Sequence, residues 1–480
     1  MKNIISKIII LLVVVAFFDS CTKGFDELNT NPNSPEKVPT SYLMTNAQTY
    51  IMVILRGNGL GSRMGMLYSQ YWSQLALTDE SRYFVFSGLT NNSFRDLYLN
   101  LYDLQDVINR CTDSPDDFSA SGYPANQIAV ATILQSYTYH IMTDIWGDIP
   151  YSDALKGREV TSPKYDKAED IYSDLLVRLK AASDMIDVTR PGVKGDIIYG
   201  GDMVKWKRFA NSLIMRIALR KGDIATVREA VPNAFQSNAD NARYQFAATG
   251  VAVNPLYADW VESDNLGKQF AVSKTLVDYM LNTNDTLRIA AYATNLQKDP
   301  DKPVRYNGLT YGLSNEHSII EFFSGVSIQP ENIYRADAFT PLMNYDEVLF
   351  ILAEIDNDEA KFREGIKNSA INWGVKRSDA EKLSNDIPYN GLESIISQKW
   401  VANYLQGIQG WSEFRRTGYP ELEAPKDGYH PSARVGSLVV PNRRPYPTDE
   451  SQLNAANYLE AVNRLVDPTG QQQTPMFWQK

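Results

Sequence analysis

The helical period of the apolar residues constrains this chain more than any other feature. Trp206, Phe209, Ala210, Leu213, Ile214, Ile217 and Ala218 recur at the three-and-four spacing of one helix face, with Lys205, Lys207, Arg208 and Arg216 between them. One buried and one wet face are expected. Asp202, after Gly200-Gly201, is placed to cap the start by accepting a backbone N–H, and Lys221-Gly222 marks the end. Comparable runs cover 128–145, 168–186, 345–353 and 395–408, often paired across short Gly, Pro or Asp loops. The fold class expected is therefore mainly α: tetratricopeptide-like helical hairpins as degenerate repeats, without a strict period of about 34 residues.

Between about 225 and 340 the pattern changes. Pro255, Gly267, Pro300, Pro303, Gly308, Gly312, Gly325 and Pro330 interrupt it, which predicts a loop-rich inserted subdomain with few short strands. A second irregular, proline-rich zone, 418–447, is expected to cross the surface in extended form.

The amino terminus carries Lys2 and Lys7, then an apolar run from Ile8 to Phe18, then Asp19-Ser20-Cys21. This run is shorter than the roughly 20 residues a membrane-crossing helix needs, so 1–20 reads as a removable export signal. Cys21, followed by the polar stretch 22–40, is expected to be the acylated mature terminus, with 21–40 a flexible tether and compact structure from about Ser41. Several acyl chains, at about 0.8 kcal/mol per buried methylene, give a stable membrane attachment through lipid alone. An ordinary secretory signal with an incidental cysteine is the alternative.

The chain has a net charge of −10 and no run of Lys and Arg, which argues against nucleic acid as a partner. With Cys21 acylated, Cys111 is the only other cysteine, so no internal disulfide is expected and the core must hold the fold together. His140, His317 and His430 are scattered outside any metal-binding spacing, so neither a metal site nor a cofactor is expected. No Gly-x-Ser-x-Gly, His-Glu-x-x-His or phosphate-loop pattern occurs.

Several segments together resemble the SusD/RagB family of outer-membrane nutrient-binding lipoproteins, in its SusD-like branch. They are 21–32 after the signal, Asp144-Ile145-Trp146-Gly147-Asp148-Ile149-Pro150-Tyr151-Ser152-Asp153-Ala154, Ile198-Tyr199-Gly200-Gly201-Asp202 leading into 206–213, 398–420 with Trp400, Trp411, Arg415 and Arg416, and Arg443-Arg444-Pro445-Tyr446-Pro447. The resemblance implies a mostly helical fold, an acyl anchor facing the cell exterior, and a lid-like position over a SusC-like TonB-dependent transporter. Trp146, Tyr151, Trp206, Trp400 and Trp411 are expected to supply core area, and Arg415 and Arg416 to pair with local carboxylates or cap a helix end.

Glycan capture needs flat apolar faces for sugar rings beside amides and carboxylates for hydroxyls. The first candidate is the segment 68–84, with Tyr68, Tyr71, Trp72 and Tyr83; its competing reading is a buried helix face through Tyr68, Trp72 and Leu75. The second is the loop-rich region, with Asn254, Tyr257, Asp259, Trp260 and Asp264 followed by Tyr306, Asn307 and Tyr311, where ordinary turn chemistry competes. The function expected is binding of a nutrient, an oligosaccharide before a peptide, for delivery to the transporter, with no catalysis. A surface glycoside hydrolase, whose two carboxylates sequence cannot exclude, and a protein-binding scaffold are the alternatives.

Overall fold

A computed structural model describes residues 38–262, 269–469 and 471–479. The signal, Cys21 and most of the expected tether lie outside them, as does Asp264. Helix accounts for 57% of the described residues and strand for 5%, so the fold is mainly α.

The helices of nine residues or more are α1 (Thr40–Arg56), α2 (Ser87–Asp113), α3 (Pro124–Trp146), α4 (Ala168–Met185), α5 (Met203–Lys221), α6 (Lys274–Asn282), α7 (Asn315–Phe323), α8 (Tyr345–Asp356), α9 (Glu359–Asn372), α10 (Arg377–Asp386), α11 (Leu392–Ala402), α12 (Gly407–Thr417) and α13 (Ala455–Asn463). Successive helices α2 to α5 pack against one another, and α8 to α11 form a second group around Phe350, Phe362, Ile366 and Ile395. These are the expected helical hairpins.

Local chemistry sets the helix ends. The Asp202 carboxylate accepts from the backbone N–H groups of Val204 and Lys205, each at 3.1 Å, and α5 stops at Gly222 with φ 84°. Helix α3 starts with Pro124 and ends at Gly147, φ 76°. It is buried along most of its length, polar residues such as Gln127, Gln135, His140 and Asp144 included, so it runs through the core.

Two expectations for helices are corrected. The run 395–408 is two helices, because the chain turns at 403–406 with Leu405 at φ 74°. Gly407 then restarts the chain where its backbone meets Gly65: a Cβ on Gly407 would lie 2.2 Å from the Gly65 carbonyl carbon. The wet face expected for α5 is also incomplete, since Arg216 is buried.

Three two-stranded antiparallel sheets occur among the described residues. Strand β1 (Trp72–Gln74) pairs with β5 (Phe270–Val272), β2 (Ile149–Pro150) with β3 (Tyr165–Asp166), and β4 (Ala242–Gln245) with β6 (Phe339–Met343). The first of these ties the segment after α1 to the loop-rich region.

Charged residues of two resembling segments, Asp144 and Lys399, Glu413, Arg415 and Arg416, meet Arg220 in the core around the end of α3. Arg220 bonds the Asp144 carboxylate and, at 3.2 Å, Glu413; Glu413 also binds Lys399 at 3.1 Å and Arg416 at 2.6 Å. Tyr172 donates to the other Asp144 oxygen. Burial alone would raise the Asp144 and Glu413 carboxyls, but the cations around them hold both below the usual carboxylate range. Buried charges persist here because each has a partner. Arg416 pairs with carboxylates, Glu413 and Glu354, as expected. Arg415 instead stacks on Trp411 and donates to the carbonyls of Asp144 (2.8 Å) and Asn442 (2.7 Å).

Candidate functional site

Of the candidate site residues, Tyr68, Tyr71, Trp72, Tyr83, Asn254, Trp260 and Tyr311 are buried, which agrees with the competing core and turn readings of these segments. Tyr68 packs edge-on between Tyr83 and Trp411. Tyr71 stacks on Trp400, ring centroids 4.9 Å apart, and donates its hydroxyl to the Trp400 carbonyl at 2.5 Å. Trp72 donates its indole N–H to the Tyr404 hydroxyl at 2.9 Å and lies against Trp260. The helix spacing that grouped Tyr68, Trp72 and Leu75 is accidental: the helix ends at Tyr68, Gln70 turns the chain at φ 54°, and β1 follows. All three residues are nonetheless core.

In the loop-rich region Asn254 caps a short helix, accepting from the Leu256 N–H at 3.1 Å and donating to the Ile333 carbonyl at 3.1 Å. Trp260 anchors the segment against Phe270 and Tyr334, and Tyr311 packs beside Tyr83. Tyr257, Asp259, Tyr306 and Asn307 are half-buried. Asn307 donates to the Gly325 carbonyl at 2.7 Å, which is turn chemistry.

The structure brings a different set of side chains to the surface at the edge of the first candidate. Segment 75–86, helix α7 and the loop 425–430 join there. The Thr78 N–H donates to Asn315 Oδ1 at 3.0 Å, the Ser318 hydroxyl to the Leu75 carbonyl at 2.9 Å, and the His430 N–H to the Arg82 carbonyl at 2.8 Å. On this face Leu77 and Phe86 are 51% and 53% exposed, and Phe84 lies between Phe86 and the His430 ring, 4.7 Å from the latter. Asp79 stands 3.9 Å from His430, and Arg82 Nε donates to the Gly428 carbonyl at 2.9 Å.

Beneath this face the backbone is held in an uncommon conformation. Gln70, Leu77 and Tyr83 have φ of 54°, 52° and 68°, the left-handed region, which costs a non-glycine residue about 1 kcal/mol or more each. Gln74 clamps the turn, donating to Glu80 at 2.8 Å and accepting from the Ser81 N–H at 2.7 Å, while Arg63 pairs with Glu80 at 3.2 Å. At the far side Asp427 accepts from the Ser314 N–H and from His317, each at 2.7 Å, and these bonds hold its carboxyl below the usual range.

Phe86, Leu77 and His430 escaped the sequence reading. Phe84 and Phe86, two apart just before the start of α2, do not share the period of that helix. That mismatch is the signal that could have found them.

The mainly helical scaffold with few short strands has the SusD-like fold. A family model named SusD-like_2 and described as "Starch-binding associating with outer membrane" matches residues 32–447, so the chain belongs to that family. Among solved structures, a chitin-binding protein superposes with a TM-score of 0.76 at 24% identity, over 91% of this chain and 99% of that one. A SusD homolog from Bacteroides uniformis superposes at 0.74 and 24%, over 92% and 99%, and one from Parabacteroides distasonis at 0.77 and 21%, over 92% and 97%. At these identities the structures establish the fold. No curated protein sequence matches the chain.

Proposed function

We propose that this protein captures an oligosaccharide at the outer membrane through the face carrying Leu77, Phe84 and Phe86, holds it without cleaving it, and passes it to a SusC-like TonB-dependent transporter. The observation that carries the reading is an exposed apolar surface on a strained, clamped loop, with Asp79, Arg82 and His430 alongside. Flat apolar side chains cover the CH-rich face of a sugar ring while the neighbouring polar groups meet its hydroxyls, and preorganising the loop lowers the ordering cost of binding. The family description, starch binding with outer-membrane association, and the chitin-binding relative support the ligand class.

Attachment is through the lipid on Cys21, at the outer face of the cell. Among the described residues no helix is long and apolar enough to cross a membrane.

A panel of starch, chitin and other oligosaccharides, each incubated with the purified protein and then analysed for both retention and product size, tests the proposal. Retention of at least one glycan at unchanged length is expected. Shortened product would replace capture by hydrolysis, and retention of none would favour a protein-binding scaffold.

A further inference from the structure

Glu80 lies under the loop face, with a side chain only 6% exposed. Its neighbours in the same turn point the other way: the Asp79 side chain is 51% exposed, and Arg82 is half-buried with Nε on the Gly428 carbonyl at 2.9 Å. A carboxylate this deep is costly unless its oxygens are engaged. Both are. Arg63 Nε stands 3.2 Å from Oε1, and Gln74 Nε2 donates to Oε2 at 2.8 Å.

The two partners belong to different parts of the scaffold. Arg63 comes from the π-helical segment Asn58–Gly65, which follows α1, and Gln74 from β1, which is paired with β5. Gln74 adds a further hold by accepting from the Ser81 N–H at 2.7 Å. The turn is also closed on itself: the Asp79 carbonyl accepts from the N–H groups of Arg82 at 3.1 Å and Phe84 at 2.9 Å, and the Glu80 carbonyl from the Tyr83 N–H at 3.0 Å. Whatever fixes Glu80 therefore fixes Asp79, Arg82 and Phe84 as well.

This hold works against the local backbone preference. Leu77 and Tyr83, which bracket the turn, have φ of 52° and 68°, a region that residues other than glycine seldom occupy. Without the side-chain clamp both residues would drift toward ordinary conformations, and the residues of the face would move with them.

We propose that Glu80 is a positioning residue for oligosaccharide capture: bridging Arg63 and Gln74, it aims Asp79, Arg82 and Phe84 so that the face is ordered before the ligand arrives. The inference rests on the loop-face reading and adds that affinity depends on a carboxylate the sugar never touches.

An exchange of partners tests it. Glu80→Gln offers one acceptor oxygen where Arg63 and Gln74 need two, and Gln74→Glu sets two carboxylates face to face. The exchange variant Gln74→Glu/Glu80→Gln restores the pattern: the carboxylate at 74 accepts from the Ser81 N–H and from the amide at 80, whose oxygen serves Arg63. Asp259 stays within electrostatic reach of Arg63, so Glu80→Gln does not strand that cation. Titration calorimetry of the detergent-solubilised full chain with maltohexaose and chitohexaose reads affinity, and hydrogen exchange without and with the probe reads the order of 77–84.

Each single variant is expected to bind about tenfold more weakly, and the exchange variant to return to within about threefold of the parent. Exchange at 77–84 should quicken in the single variants, stay unchanged elsewhere, and return to the parent's rate with saturating probe. Should Glu80→Gln fail to fold, Glu80→Asp takes its place, keeping the charge but reaching one methylene less. Parent-like affinity in the folded variant, a loss the exchange variant does not recover, or parent-like exchange at 77–84 would overturn the proposal and leave the loop face standing. Parent-like affinity in Phe86→Ala, or no binding of either probe by the parent, would remove the loop-face reading and this one with it.

Discussion

Arg216 and Glu347 bind each other through two parallel hydrogen bonds, Nε to Oε1 at 2.7 Å and Nη2 to Oε2 at 2.6 Å, with both side chains 1% exposed. The pair fastens α5 to α8 across the core. Replacing Glu347 by Gln leaves a guanidinium charge buried without its counter-charge, which is expected to cost about 3–5 kcal/mol. Urea denaturation measures this; a loss below about 1 kcal/mol would mean the interior is wetter than the burial indicates.

Trp72 and Phe86 should separate stability from binding. Trp72→Ala removes a fully buried indole bonded to Tyr404 and is expected to destabilise by about 3–5 kcal/mol, seen as a large drop in Tm. Phe86→Ala removes an exposed ring and should weaken oligosaccharide capture with little change in Tm. An unchanged affinity would remove Phe86 from the site.

His140 predicts acid sensitivity of a definite sign. Burial lowers its pKa from 6.5 to about 3, with Asp144 opposing and Arg220 assisting. Below 6.5 the unfolded chain takes up a proton that the folded chain refuses, so the stability linked to this residue is complete above 6.5 and declines as pH falls toward 3. The slope reaches about 1.4 kcal/mol per pH unit for one proton. His140→Gln should flatten the dependence of Tm on pH between 6.5 and 3 relative to the parent chain.

Asp346 predicts the opposite slope. Burial raises its carboxyl from 3.8 to about 7, against a hydrogen bond from Asn372 at 2.7 Å. Between these values the unfolded chain releases a proton that the folded chain keeps, so stability falls as pH rises from about 4 through 7. Asp346→Asn should therefore be more stable than the parent at pH 8 and gain less, or nothing, at pH 4. Parallel Tm curves for the two chains would show that Asp346 is ionised in the fold.

Cys21→Ala tests the anchor. Cell fractionation should move the protein from the membrane to the soluble pool, since no acyl chain remains to hold it. Membrane retention equal to the parent would remove the lipid attachment from the proposal.

What sequence revealed was what short-range chemistry decides. The Asp202 cap, the Gly222 stop and the periodic face through Trp206 and Leu213 depend on residues within one or two turns, and all lie where the pattern put them. Trp72 was harder, because its segment becomes a strand through pairing with 270–272, almost two hundred positions away. Arg216 misled for the same reason: its partner on α8 cancels the charge that marked it as solvent-facing. Within and just beyond 68–84, Tyr68, Tyr71, Trp72 and Tyr83 turn inward and Phe86 turns outward, a sorting set by long-range packing that no local pattern carries. Tyr151 was expected in the core and is instead half-buried beside α4.

The three carbonyls that close α3 are bound from the other end of the chain: Asp144 by Arg415, Ile145 by the Arg444 N–H and Trp146 by Arg443. A ribosome finishes that helix long before it delivers the groups that seal it. The end of α3 is therefore sealed only by chain that follows it at long range, 271 positions for Arg415 and 297 for Arg443.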